Sequence, residues 1–203
     1  MLISRKGMVQ IATAILPGIG MTNNGNQDAL PVAKYYNPPP NHSIDYSINP
    51  TPFGRILEGS SPAYAYRETE NTLTFRDRTP KAPLHALVIP KTFIPSIQQL
   101  TPDDLGLLYE MKREALETIK NYSLLSSDQG TDMSMNTRGE SILEKGDYIL
   151  CFHIPPYNSV DHLHLHVLAP KSEMKWMFRH AKYLTGTPWC ADLESVISLL
   201  EKG

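Results

Sequence analysis

His162-Leu163-His164-Leu165-His166-Val167-Leu168 alternates imidazoles with apolar residues, and the chain reaches it through Phe152-His153-Ile154-Pro155-Pro156-Tyr157-Asn158-Ser159-Val160-Asp161. A period of two is a strand signal, so the three rings share one face while Leu163, Leu165 and Val167 point the other way. The leucines read as core and the histidines as the lining of a surface. Alternate residues on a strand stand roughly 7 Å apart, so the rings span a group the size of a phosphate and its leaving group. A neutral imidazole nitrogen is a competent nucleophile at phosphorus, and a protonated neighbour neutralises charge or protonates the departing atom. The pattern points to phosphoryl or nucleotidyl transfer without a metal. Plainer readings stand beside it. Single histidines such as His42 and His180 are more often structural, but three in register on one strand are costly to satisfy in a core. A His-x-His pair is also a zinc spacing, although no nearby Cys, Glu or Asp supplies an obvious further ligand on the same face.

Upstream, Ala63–Arg67 and Thr72–Phe75 read as paired strands around the turn at Glu68-Thr69-Glu70-Asn71, and His85–Ile89 as a third strand closed by Pro90. Asp77 lies in the loop after the second strand and, taken alone between Arg76 and Arg78, is a solvated turn residue. By alternation His85 shares a face with Leu87 and Ile89, where a polar ring needs a partner. Thr101–Tyr122 is the clearest helix. Thr101 is its expected cap, Pro102 suits its first turn, Asp103 and Asp104 sit at its positive end, and Leu105, Leu108, Met111, Ala115, Leu116 and Ile119 recur on one face. Ser123–Gly146 has no sustained period and reads as an exposed loop insertion. Tyr148–Phe152 gives a fourth strand and the histidine run a fifth. Leu193, Val196, Ile197 and Leu200 mark a final amphipathic helix.

The 203 residues suit one domain with extensions, and a net charge of −2 gives no electrostatic case for nucleic acid or an anionic membrane as partner. No apolar run approaches the ~18 to 20 residues of a membrane span. Cys151 and Cys190 are too few for a disulfide framework, which makes a reducing interior the default. Residues 1–50 differ from the rest. Arg5 and Lys6 precede the mildly apolar Met8–Met21, so organelle targeting by residues 1–21 stays open, and Thr22–Pro50 is rich in Asn and Pro and reads as a flexible tail without chemistry.

The run from Phe152 to Leu168 resembles the signature of the histidine-triad superfamily, and its flanks resemble the Hint branch of nucleoside phosphoramidases. A second block, Phe75-Arg76-Asp77-Arg78-Thr79-Pro80-Lys81-Ala82-Pro83-Leu84-His85-Ala86-Leu87-Val88-Ile89-Pro90-Lys91, is similar to that family's nucleotide-binding segment. The resemblance implies an α+β fold, a five-stranded antiparallel sheet with helices packed on one side. It implies a histidine-triad domain over residues 51–170 and a C-terminal extension over 171–203. It implies a homodimer, no cofactor, and a cytoplasmic or nuclear setting. Many members carry a Cys-x-x-Cys zinc pair where this chain has Thr51 and Gly54, and that departure argues against a metal.

The resemblance also implies roles. His164 would attack the α-phosphorus of a purine nucleotide amide or ester, such as an AMP amide. His166 and His162 would position and charge the site, Ser159 would assist departure of the leaving group, and His85 would support the triad from behind. Asp77 would hold the ribose, Phe53, Ile56, Phe75 and Leu87 would enclose the base, and His153 would contact ribose or leaving group. Trp176 and Trp189 are candidates for selectivity or the dimer contact, with buried structural aromatics as the alternative. Two rival functions are a purine nucleotide-binding module without turnover, and another nucleotidyl hydrolase of the superfamily acting on dinucleoside polyphosphates or adenylylated DNA. The first would not need a nucleophile with Ser159 beside it. The second typically has Gln in place of the third histidine, or a basic zinc-finger tail.

Overall fold

A computed structural model describes residues 34–38, 46–122 and 137–202. The expectations for residues 1–33, 39–45 and 123–136, with the targeting segment and His42 among them, lie outside the described residues. Strands β1 (Lys34–Tyr35), β2 (Tyr64–Glu68), β3 (Thr72–Arg76), β4 (Leu84–Pro90), β5 (Ile149–His153), β6 (Leu165–Ala169) and β7 (Cys190–Asp192) form one sheet. Their order is β1-β2-β3-β4-β6-β5-β7, with every neighbouring pair antiparallel. All five expected strands are present. The two-residue β1 and three-residue β7 extend the edges, and neither is long enough to show a period in the sequence.

The helices are α1 (Pro52–Leu57), α2 (Leu105–Lys120), α3 (Thr137–Glu144) and α4 (Leu193–Leu200). The last three cover one sheet face, where Leu84, Ala86, Val88, Phe152, Leu165 and Val167 meet Leu108, Met111, Ala115 and Ile119 of α2. The apolar stripe read from the sequence is therefore the buried stripe. Thr101 is the cap of the 3-10 turn Pro102–Asp104 that leads into α2. Asp104 reaches back and accepts from the Thr101 amide at 2.8 Å and its hydroxyl at 3.0 Å, so the acid satisfies the otherwise free donor. Burial of the Glu114 charge on this helix is offset by Arg67 at 2.7 Å and Arg113 at 3.1 Å.

Two expectations change. The short α1 lies on the opposite sheet face, packing Phe53, Ile56 and Leu57 on Leu73, Phe75, Leu87 and Ile89, so only the longer helices are one-sided. The part of the 123–146 insertion that is described contains helix α3 rather than loop. Gly139 hides that helix from sequence reading, yet its bare backbone is what lets α3 approach α2, because a Cβ there would stand 2.1 Å from the Lys120 carbonyl oxygen. None of the described helices is long and apolar enough to cross a membrane.

Gly139→Ala should therefore push α3 off α2 and destabilise the protein by roughly 1–3 kcal/mol. Gly106→Ala, at an α2 position where a Cβ meets nothing within 4 Å, should instead stabilise it by up to ~1 kcal/mol. Urea unfolding of both variants checks the pair of signs.

Candidate active site

The sheet register aligns His166 on β6 with Leu87 of β4 on one side and Cys151 of β5 on the other. His85 and His153 stand on the same face of those flanking strands, and the His153 ring centroid is 4.5 Å from that of His166. Only His166 of the three triad rings lies inside the strand. His162 and His164 precede it in the extended approach, close to α1, and the Phe53 ring packs edge-on against both, with centroids at 5.7 and 5.3 Å. His164 and His166 are neighbours at 4.9 Å.

Hydrogen-bond partners assign the protons. The Lys81 amide donates to His85 Nδ1 at 3.2 Å, which leaves the His85 proton on Nε2. That proton faces His166 Nδ1 at 3.0 Å. His166 then carries its own proton on Nε2, a buried atom with no protein partner among the described residues. His164 is set the opposite way. Its Nδ1–H donates to the His162 carbonyl at 2.6 Å, so its Nε2 lone pair is free. A free nucleophilic nitrogen thus stands beside an unpaired donor.

His162 does something else. Its Nδ1 accepts from the Asn49 amide at 2.7 Å and its Nε2–H donates to the Pro90 carbonyl at 2.9 Å. Both nitrogens are used and the ring is wholly buried, so His162 keeps no nitrogen free for a phosphate, unlike the charging role that the resemblance implied. It holds its own carbonyl in place under His164. Asn49 is fixed in turn, with Oδ1 accepting from the Thr51 amide at 3.2 Å and hydroxyl at 2.7 Å. Thr51 also caps α1 by accepting from the Gly54 amide at 3.3 Å. Gly54 has no side chain because a Cβ would lie 2.1 Å from the Asn49 carbonyl oxygen. Asn49 falls within the stretch read as a tail without chemistry, and its Asn-Pro-Thr-Pro setting, a capping pattern, is the signal that marks it.

Burial, the largest influence in each case, keeps these rings neutral. It holds His85, His153 and His162 at about 4, lowers His164, and pushes His166 well below the ordinary imidazole value. The Asp77 carboxylate lies 3.7 Å from His85 Nε2, too far and with too little charge on the ring to form an ion pair. Its other oxygen accepts from the Thr79 amide at 2.7 Å.

Asp77, Ile56 and Phe75 line a cavity of about 360 Å³. Phe53 and Leu87 belong to the packed cluster beneath, at 7% and 5% exposure, and support the floor from behind. Ser159 is exposed on the loop ahead of the triad. His153 places Nε2 3.3 Å from the Lys182 carbonyl, which ties the site to the C-terminal segment. From that segment Tyr183, which sequence reading missed because no period surrounds it, packs on His85, His153 and His166. Trp176 is 75% exposed. Trp189 donates to the Ala181 carbonyl at 2.8 Å and packs against Tyr157.

The rings of His153, His164 and His166 offer nitrogens within 4.8 Å of one another, a separation from which a cation could be gripped. The Lys81–His85–His166 chain opposes that use, since it leaves His166 Nε2 presenting a proton and not a lone pair. An oxyanion suits the site better than a metal ion.

The family model described as "Scavenger mRNA decapping enzyme C-term binding" matches residues 50–182. The chain belongs to the histidine-triad family. It is similar to an adenosine 5'-monophosphoramidase HINT3 of Danio rerio, 36% identical over 164 residues that make up 79% of this chain and 89% of that protein. A bifunctional adenosine 5'-phosphosulfate phosphorylase/adenylylsulfatase HINT4 of Arabidopsis thaliana is 31% identical over 150 residues, covering 74% of this chain and 88% of that protein. Among solved structures, a HIT family hydrolase from Legionella pneumophila Philadelphia 1 is 30% identical, with a TM-score of 0.48, over 62% of this chain and 96% of that one.

Unfolded histidines bind protons near pH 6.5, whereas His85, His153 and His162 in the fold do so only near 4. Between those values the unfolded chain holds more protons, so acid favours unfolding. Stability should be full above about pH 6.5, fall steadily towards pH 4 and then level off as far as these rings contribute, which thermal melts across that range would detect.

Proposed function

We propose that the chain hydrolyses purine nucleoside 5'-monophosphate amides and related esters through a nucleotidyl-histidine intermediate. One observation carries this reading: among the described residues His164 keeps Nε2 free while its Nδ1–H is anchored at 2.6 Å on the His162 carbonyl, beside the unpartnered Nε2–H of His166. The Danio rerio and Xenopus tropicalis monophosphoramidase relatives, at 36% and 30% identity, support it.

In the first step the His164 Nε2 lone pair forms a bond to phosphorus as the bond from phosphorus to the leaving nitrogen breaks. The departing amine takes its electron pair and a proton from the Ser159 hydroxyl. The nucleotidylated ring becomes cationic, and the His162 carbonyl stabilises it through the Nδ1 proton. The His166 Nε2–H donates to a phosphate oxygen as charge builds there. Water then attacks phosphorus, gives its proton back to the Ser159 oxygen, and the P–N bond breaks with the electron pair returning to His164. Asp77 accepts from the ribose hydroxyls and Ile56 and Phe75 floor the base. His85 acts only by holding His166 in its tautomer.

A homodimer belongs to the same proposal and is supported by the apolar residues Trp176, Met177 and Leu184 exposed along the C-terminal segment. A cytoplasmic setting is proposed with it, on the low cysteine count of the sequence. The small negative charge favours a mononucleotide substrate over nucleic acid.

Incubation of the wild-type chain with adenosine 5'-phosphoramidate should release AMP and, on acid quench, leave a nucleotidylated protein. His164→Ala should lose at least ~10³-fold in kcat and trap nothing. Equal turnover by both would remove His164 as nucleophile, and AMP binding without turnover by the wild type would favour a binding module.

A further inference from the structure

We infer that Asn49, ahead of the part of the chain that the family model matches, is a positioning residue for the nucleophile: it clamps His162 so that the His162–Leu163 peptide presents its carbonyl to His164. The inference rests on the function proposed above and adds to it a residue that acts only through another. Asn49 follows the short 3-10 helix Tyr46–Ile48 and precedes the matched residues 50–182. It is buried at 5% exposure, whereas Ile48 beside it is 66% exposed, so the chain sends this one side chain inward.

Two bonds pin the ring and a third pins the peptide. The Asn49 amide donates to His162 Nδ1 at 2.7 Å, and His162 Nε2–H donates to the Pro90 carbonyl at 2.9 Å. The peptide that follows is held from its other end, because the Leu163 N–H donates to the Ile94 carbonyl at 2.6 Å. Ring and peptide hang on the same stretch of backbone. With both fixed, the His162 carbonyl has little freedom to turn away from the His164 Nδ1–H, which donates to it at 2.6 Å. Donation by the Leu163 N–H also polarises that carbonyl and strengthens it as an acceptor. Strand pairing does none of this, since β6 begins only at Leu165. The clamp therefore replaces the sheet at the residue on which the nucleophile is anchored. Without the Asn49 donor the buried Nδ1 lone pair loses its partner, the ring turns to find another, and the carbonyl moves with it.

The clamp acts on the step at phosphorus and leaves the nucleotide's own contacts alone, so its loss should lower kcat and spare KM. Turnover of adenosine 5'-phosphoramidate by the full chain, together with proton and nitrogen NMR of the imidazoles, tests this. Asn49→Ala should lower kcat about 10²-fold with KM within about threefold, and should shift the His164 Nδ1 proton resonance upfield as its bond lengthens. Asn49→Asp keeps an oxygen for the Thr51 hydroxyl, which donates to Asn49 Oδ1 at 2.7 Å, yet once ionised it cannot donate to His162. It should reproduce both effects, which loss of the α1 cap alone would not do, and thermal melts check that each variant is folded. An unmoved His164 resonance, or wild-type kcat, in either folded variant would overturn the clamp and leave the proposed function intact. Failure of the wild type to release AMP would overturn that function, while the His164 resonance would still report on the clamp.

Discussion

The site depends on a single amide proton. The Lys81 N–H donates to His85 Nδ1, and that bond dictates every proton position beyond it: on Nε2 of His85, then on Nε2 of His166. Reversing the order would set a ring N–H against the Lys81 amide and leave both donors unsatisfied, a cost of ~1–3 kcal/mol for each such buried group. The chain of bonds makes His166 a donor in the place where a phosphate oxygen would sit. With His164 held in the opposite tautomer by a backbone carbonyl, two chemically identical side chains two residues apart acquire complementary roles.

The sheet makes this arrangement possible because it is covered on both faces. Helices α2, α3 and α4 seal the apolar side, while α1 and the C-terminal segment close over the histidine side. Burial on the second face keeps the imidazoles uncharged, as a nucleophile and a neutral donor both require. Tyr183 contributes by packing against three of the rings. The same burial ties catalysis to acid sensitivity, since rings that resist protonation in the fold accept it freely once the chain opens.

The strands and α2 were legible because each sustains its period over at least five residues or several turns. Helix α3 was not, with Gly139 inside it, and β1 and β7 are too short to show alternation. At the site, reading the triad as one strand face brought His164 and His166 together correctly but misplaced His162, because strand pairing begins only at Leu165. A residue ahead of the paired strand follows its own hydrogen bonds, and those of His162 go to Asn49 and Pro90. Asn49 lies in the Asn- and Pro-rich stretch whose composition suggested a tail, so its contribution is visible only once the chain is folded. Asp77 and Phe75 of the second sequence block and Ile56 of the entry segment come together at one cavity.

The opposed tautomers of His164 and His166 are the centre of the account, and nitrogen NMR of the imidazole side chains at neutral pH observes them directly. Long-range proton–nitrogen correlations should find His164 protonated on Nδ1 with a bare Nε2, and His85 and His166 both protonated on Nε2. A proton on His164 Nε2, or a cationic His166 at that pH, would contradict the account.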